Sequence, residues 1–175
     1  DKEKIINDIK YNKSLKNTRN DPHQKIGRDN SNIHHSYADF DNKNFRPINY
    51  EKLTEVYQKI FTDFLNKKLI TIKNFKWNFY IENYSAITEG QWLPNHGHGT
   101  DDFACIHYLN FKKDHNQTTF ENPASFARYA QMIHPELVNV LNLKVSENSY
   151  LYEVCDVPVE EDDMNIFPAS LNHEV

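Results

Sequence analysis

Beyond Lys73 the apolar residues come in short, alternating runs cut by polar turns, and that pattern limits what this chain can fold into. Side chains on a strand alternate faces with period two, so such a run presents one apolar face and one polar face. "FKWNFYIENYSAI" is aromatic and β-branched with this alternation and ends at the turn "TEGQW". "FACIHYLNF" is the next strand, and "TTFEN" follows the polar loop Lys112–Gln117. "SYLYEV" and "DMNIFPA" close the chain as strands. A short strand cannot bury its apolar face alone. Several of them, separated by turns, predict a mainly β fold of double-sheet, jelly-roll type with helices packed outside.

The helices are predicted from a different period. In "NYEKLTEVYQKIFTDFLNKKL", Leu53, Val56, Ile60, Phe61, Phe64 and Leu65 recur at three- and four-residue steps. That makes one apolar stripe. Asn49 suits the N-cap, and Lys67 and Lys68 suit the negative end of the helix dipole. A second helix is expected over "NPASFARYAQMI", with Asn122 as cap and Pro123 in its first turn. Residues 1–48 are rich in Asn, Lys and Asp and show neither period. They read as an extended or partly disordered N-terminal arm, with His34 and His35 as exposed polar residues. The β domain is then expected to span residues 49–175.

At 175 residues the chain suits one domain with a single core. A net charge of −5 with mixed signs argues against a nucleic-acid binder, which concentrates basic residues on one face. No apolar run approaches the length of a membrane span, and no charged-then-apolar leader opens the chain. The first residue is Asp1 rather than Met, so a leader could have been removed. Cys105 and Cys155 do not form a CxxC pair. They read as buried free thiols of a reducing, cytoplasmic compartment, with a single disulfide between them as the alternative.

The chemistry concentrates in "LPNHGHGTDDFACIHYLNF". His96 and His98 point the same way on extended chain, and Asp102 follows four residues later. A third arm is available at the far end, in "EEDDMNIFPASLNHEV", where His173 follows Pro168 by five residues. Sequence-distant strands lie side by side in a jelly roll, so His173 can face the His96/His98 pair. Imidazole and carboxylate ligands with positions left open suit non-haem Fe(II), and zinc accepts the same atoms. An HGH pair with two glycines is also compatible with a flexible turn carrying surface histidines.

"NHGHGTDDFACIHYLNF" resembles the H-x-H-P-x-S-x-x-S-G-V-Y-Y-L segment of a bacterial and phage branch of the 2-oxoglutarate/Fe(II)-dependent oxygenases. "DDMNIFPASLNHEV" resembles that branch's G-D-x-x-x-F-P-S-x-L-x-H-x-V segment, also without a gap. "WNFYIENYSAITEGQW" is similar to its W-x-N-x-Y strand and following turn, and "TTFENP" to its short strand ending in D-P. The resemblance covers roughly Trp77 to Val175. It implies a double-stranded β-helix, the cupin-like form of the jelly roll, with Fe(II) held by His96, His98 and His173. It further implies 2-oxoglutarate as a small-molecule co-substrate and prolyl hydroxylase-like hydroxylation of an unactivated C–H bond, with release of succinate and CO2. Tyr108 matches the family position, and Tyr108 and Asn78 are the residues chosen for hydrogen bonds to 2-oxoglutarate. Asp102 is left three roles: a metal ligand, a partner orienting one imidazole, or a loop cap.

This chain departs from the family in two places. His107 stands where the family has an aromatic residue, and it reads as a hydrogen-bonded histidine on the sheet face away from Tyr108. The family also supplies an Arg or Lys about ten residues past the distal histidine, to pair the far carboxylate of 2-oxoglutarate bidentately when it is Arg. This sequence stops two residues past His173, so the expectation is a natural product that continues with one more strand bearing that cation. The alternative anchor is Arg128. Two rival readings share the same barrel: a cupin-like metal-dependent isomerase or dioxygenase that needs no 2-oxoglutarate, and a non-catalytic jelly-roll module.

Overall fold

A computed structural model describes residues 1–15, 33–69, 77–125, 128, 132, 136 and 152–175. In chain order its elements are helix α1 (Lys2–Ser14), strand β1 (His34–His35), a 3-10 segment (Ser36–Asp41) and helix α2 (Glu51–Phe64). A π-helical turn (Leu65–Leu69) follows α2. The strands β2 (Ser85–Ala86), β3 (Phe103–His107), β4 (Thr119–Glu121), β5 (Val154–Asp156), β6 (Met164–Pro168) and β7 (His173–Glu174) complete the list. The chain divides into two compact units, Asp1–Gln91 and Trp92–Val175. The expected boundary at residues 48/49 is therefore displaced, because α2 and the aromatic stretch after it belong to the first unit. The described fold is small antiparallel sheets with two helices and is not a closed barrel. No helix among the described residues is long and apolar enough to cross a membrane.

The second unit is built from two small sheets. β3 pairs antiparallel with β6, placing Ala104 opposite Phe167 and Ile106 opposite Asn165. β4 lies between β5 and β7, with Phe120 opposite both Cys155 and His173. Residues directly opposite on paired strands share a face. Phe120 and Phe167 meet edge-to-face with ring centroids 4.9 Å apart, so the inner faces of the two sheets pack together. A contact of this kind contributes about 0.5–1.5 kcal/mol beyond its buried area. Tyr108 adds a polar tie: its hydroxyl donates to Thr118 Oγ1 at 2.7 Å and accepts from Asn165 Nδ2 at 3.1 Å. Tyr108, Thr118, Phe120, Phe167 and Ala169 are all buried. On the opposite face of β3, His107 stands across from Met164 and pairs with Asp162 at 3.4 Å.

The two cysteines differ from the expectation of two buried thiols. Both are free, but Cys155 is exposed on β5. Cys105 is half-buried, and that burial pushes its thiol up to about 11. The second expected helix begins with Asn122 Oδ1 accepting the Ala124 N–H and Ser125 Oγ accepting the Arg128 N–H. Most of that segment lies outside the described residues, as does most of the expected "SYLYEV" strand.

For residues 1–15 and 33–48 the first unit corrects the reading of residues 1–48 as an arm; residues 16–32 lie outside the described residues. Its opening segment is a helix capped by the Asp1 side chain, which accepts the Glu3 N–H. Its buried residues are Asp8 and Asn12 rather than apolar ones, so no apolar stripe announces it. Asn12 is fully buried. Its amide donates to Asp39 Oδ2, the Arg46 carbonyl and the Tyr84 hydroxyl, and its oxygen accepts the Arg46 N–H at 2.7 Å. Asp39 also accepts from the Tyr84 hydroxyl and pairs with His34 at 2.9 Å. Burial, with Asp39 beside it, pushes the Tyr84 phenol far above its ordinary range. His34 and His35 are thus not exposed, because β1 pairs with β2 and both rings are drawn into polar contacts. A hydrogen-bonded hub of this type leaves no trace in hydrophobic periodicity.

Among the described residues of the aromatic stretch after α2, only Ser85–Ala86 is a strand. Phe61 on α2 meets Trp77 edge-to-face at 5.6 Å and Phe79 at 6.2 Å. Phe61 and Leu65 are buried, whereas Val56 and Ile60, expected in the same stripe, are exposed. Asn49 acts near the start as expected, its side chain accepting the Glu51 N–H at 2.9 Å.

Replacing Asn12 with Ala would remove the hydrogen bonds that tie Asp39, Tyr84 and both backbone groups of Arg46 together, and would leave the Arg46 N–H and carbonyl without this partner. The expected loss is about 2–4 kcal/mol of stability, read as a lower urea midpoint with an unchanged slope.

Candidate metal centre

The site begins with backbone pairing. Leu93 and Val175 exchange both N–H···O bonds, at 2.8 and 3.1 Å, and His96 and His173 exchange both of theirs at 2.9 Å. In a regular antiparallel ladder such pairs recur every two residues on both strands. Here three steps on one side, 93 to 96, match two on the other, 175 to 173. One extra residue is therefore accommodated at Pro94–Asn95, a β-bulge. Proline has no N–H to offer a ladder and is tolerated at bulges. The bulge turns His96, three residues after Leu93, to the same face as Leu93, His173 and Val175. Without it, period-two alternation would send His96 to the other side.

His98 follows at i+2 and is held by its own N–H to the Ala169 carbonyl at 2.8 Å. Ala169 is in turn fixed by its N–H to the Asp102 carbonyl at 3.1 Å. Ring centroids of His96 and His173 are 4.3 Å apart, and each lies 5.3 Å or less from His98. One ligand nitrogen from each of the three lies within 4.8 Å of the others. A metal–imidazole bond is ~2.0–2.1 Å long, so the three rings must draw somewhat closer together for one ion to bridge them all.

Two of the rings are oriented by carbonyls two residues upstream. His96 Nδ1 is 2.9 Å from the Pro94 oxygen, and His173 Nδ1 is 2.9 Å from the Leu171 oxygen. A carbonyl only accepts, so both Nδ1 atoms carry the proton and Nε2 carries the lone pair. Such a partner fixes both tautomer and ring orientation in metal-binding histidines. His173 is 2 % exposed and walled by Phe167 at 4.9 Å and Phe120 at 5.9 Å, whereas His96 and His98 are half-exposed. The cluster therefore has a dry floor and an open side. Burial, and secondarily the neighbouring His96 and His98, lower the pKa of His173 below its ordinary value, which favours the neutral, ligating ring.

The residues proposed from sequence fare differently. His96, His98 and His173 come together as expected. Asp102 does not join them: it is exposed, outside the cluster, and engaged through its backbone as the β3–β6 pairing begins. The turn at Gly99–Thr100 separates its carboxylate from the imidazoles. Tyr108 lies in the interior of this unit, bonded to Thr118 and Asn165. Asn78 is exposed and belongs to the first unit. Arg128 pairs with Glu121 at 3.6 Å. Glu121 follows the inward-facing Phe120 on β4, so Arg128 is drawn toward the outer face. Sequence reasoning missed Thr118 and Asn165. Their positions two residues before Phe120 and Phe167, on the same strand faces, were the available signal.

Comparison of this chain with models of known protein families, with curated proteins and with solved structures found no match.

Substituting His173 with Ala removes one of three imidazoles and should weaken divalent-metal binding by orders of magnitude while the β core stays folded. Melting points should then differ between wild type and variant chiefly when metal is present, since a ligand stabilises only the state that binds it. Equal metal stoichiometry in the two proteins would remove His173 from the ligand set. A second prediction follows from the lowered pKa of His173. The unfolded chain takes up a proton near 6.5 and the folded one only at lower pH. Apo stability should therefore be full above pH ~6.5 and fall as the pH drops through the lowered value. Urea unfolding from pH 5 to 7.5, against His173→Ala, measures the difference in slope.

Proposed function

We propose that His96, His98 and His173 form a divalent-metal centre, and that this chain is an Fe(II)- and 2-oxoglutarate-dependent oxygenase with a double-stranded β-helix core. One observation carries the reading. The two segments that resemble the oxygenase motifs are the two that pair with each other, and their three histidines converge with two ring tautomers already set for ligation. The donor set fits the metal: three neutral imidazoles on a dry floor, with the half-exposed side leaving room for further ligands.

Bound iron and 2-oxoglutarate together supply dioxygen activation and C–H hydroxylation, releasing succinate and CO2. The chain's part is to hold the ion and keep bulk water away. Phe120 and Phe167 back His173 with aromatic surface, and the carbonyls of Pro94 and Leu171 stop two of the rings from turning. Tyr108 is the residue assigned to the co-substrate, with its hydroxyl set by Asn165 and Thr118. Its one O–H proton is donated to Thr118, so a carboxylate would receive either that proton after a small hydroxyl rotation or the proton of Thr118. Asp102, Asn78 and Arg128 take no part in this reading.

One feature favours a second reading. The cluster holds three imidazoles and no carboxylate, a set that suits zinc as well as iron. A cupin-like metal protein working without 2-oxoglutarate would use the same residues.

The test is anaerobic Fe(II) reconstitution of the natural gene product, then 2-oxoglutarate turnover in air with succinate followed by NMR. The expected result is one iron per chain and succinate release that His173→Ala abolishes. Retained iron with no succinate would select the cupin-like reading. Failure to retain any divalent metal would overturn both.

A further inference from the structure

The loop that carries two of the three imidazoles rests on a side chain that no ligand motif names. Gly97, between His96 and His98, has no side chain, and a Cβ placed there would lie 3.1 Å from Asn172 Oδ1. The Ala169 and Ser170 carbonyls would be 3.6 Å away, an ordinary contact. The amide oxygen of the exposed Asn172 therefore lies tight against the space a side chain at position 97 would take, and would have to give by a few tenths of an ångström to admit one. Asn172 is itself tethered. Its Nδ2 donates to Glu121 Oε2 at 3.1 Å, and its carbonyl accepts the Glu121 N–H at 2.9 Å. The other carboxylate oxygen of Glu121 pairs with Arg128 at 3.6 Å. Asn172 also immediately precedes the buried ligand His173.

We propose that Glu121 and Asn172 are positioning residues of the metal centre, setting the height of the His96–Gly97–His98 loop over His173, and that Gly97 is favoured there because the Asn172 amide lies 3.1 Å from where its Cβ would be. The proposal rests on the metal-binding part of the reading above and on none of the oxygenase chemistry. The physical reason is a three-part stack. β4 fixes Glu121, Glu121 fixes the Asn172 amide, and the amide sets how closely the two half-exposed imidazoles approach the buried one. A ring displaced by a few tenths of an ångström from its bond direction weakens coordination without unfolding anything. Partners that orient ligands in this way typically change metal affinity by about 10–100-fold when removed. The backbone of Gly97 is outside the left-handed region, so Ala at this position is resisted by the Asn172 contact rather than by its own torsions.

Zn(II) affinity, measured by competition with a chromophoric chelator, and the Co(II) electronic spectrum test the proposal on the full chain. Asn172→Ala and Gly97→Ala are each expected to lower Zn(II) affinity about 10-fold or more and to alter the Co(II) bands, with apo melting points little changed. The decisive variant is the pair. With Asn172 truncated, Ala at position 97 meets nothing closer than 3.6 Å, so Gly97→Ala should cost nothing further in that background. Glu121→Gln keeps an acceptor for Asn172 and should retain affinity, whereas Glu121→Ala should lose it. Wild-type binding with unchanged affinity in Asn172→Ala, or losses that multiply in the double variant, would overturn the positioning role while leaving the metal centre standing. Absence of Zn(II) and Co(II) binding by the wild type would remove the metal centre, and the proposal with it.

Discussion

The pairing of His96 with His173 is the contact on which the site depends. Two reciprocal backbone hydrogen bonds, each 2.9 Å, bring together segments from opposite ends of the second unit. Backbone groups taken out of water must be paired, so this rung satisfies a requirement the chain would face whatever its side chains were. Once it forms, the side chains of both residues share a face, and that face is the one Phe120 and Phe167 line. The imidazole cluster is thus a by-product of sheet formation. It needs little organisation beyond a bulge, a glycine and two carbonyls to turn the rings.

The described residues of the two units differ in the polar groups they bury alongside their apolar ones. In the second, aromatic side chains from two sheets interlock, and among the described residues the Tyr108 hydroxyl is tied to Thr118 and Asn165 while His173 is buried beside Phe120 and Phe167. In the first, a polar hub of Asn12, Asp39, Tyr84 and His34 joins helix, strand and loop. An apolar core tolerates local rearrangement because dispersion contacts are non-directional, whereas a buried amide holding four hydrogen bonds has one acceptable geometry. The cost of losing it is correspondingly concentrated at single residues.

Much of the candidate site was legible before any coordinates. The HxH spacing named two of the three clustered histidines, since period two needs only extended chain, and the alternating run after them pointed to a strand at Phe103–His107. The apolar stripe placed α2 to within a few residues, and Pro168 does end β6. What escaped had specific reasons. α1 escaped because its buried face is Asp8 and Asn12, which score as solvent-facing in any hydrophobic pattern. Val56 and Ile60 were assigned to the core of α2, yet helical spacing alone does not say how wide the covered stripe is. Asp102 lay at a suitable distance along the chain, but the turn at Gly99–Thr100 and the rung to Ala169 decided where its carboxylate went.

By itself, the sequence determined the strand that follows the HxH pair, where the imidazoles stand along the chain, and that a third histidine lies beyond a strand and a proline. Those are local properties, set by side-chain alternation and by the backbone limits of proline. Only the tertiary structure decided that His96 faces His173, because that depends on one extra residue absorbed at Pro94–Asn95 within a pairing between distant strands. It alone decided that Asn172, not a ligand, sits against Gly97, and that a carboxylate four residues from a histidine stays in solvent. Register between distant strands is chosen by the whole set of hydrogen bonds and buried faces at once, and no local stretch of chain contains that sum.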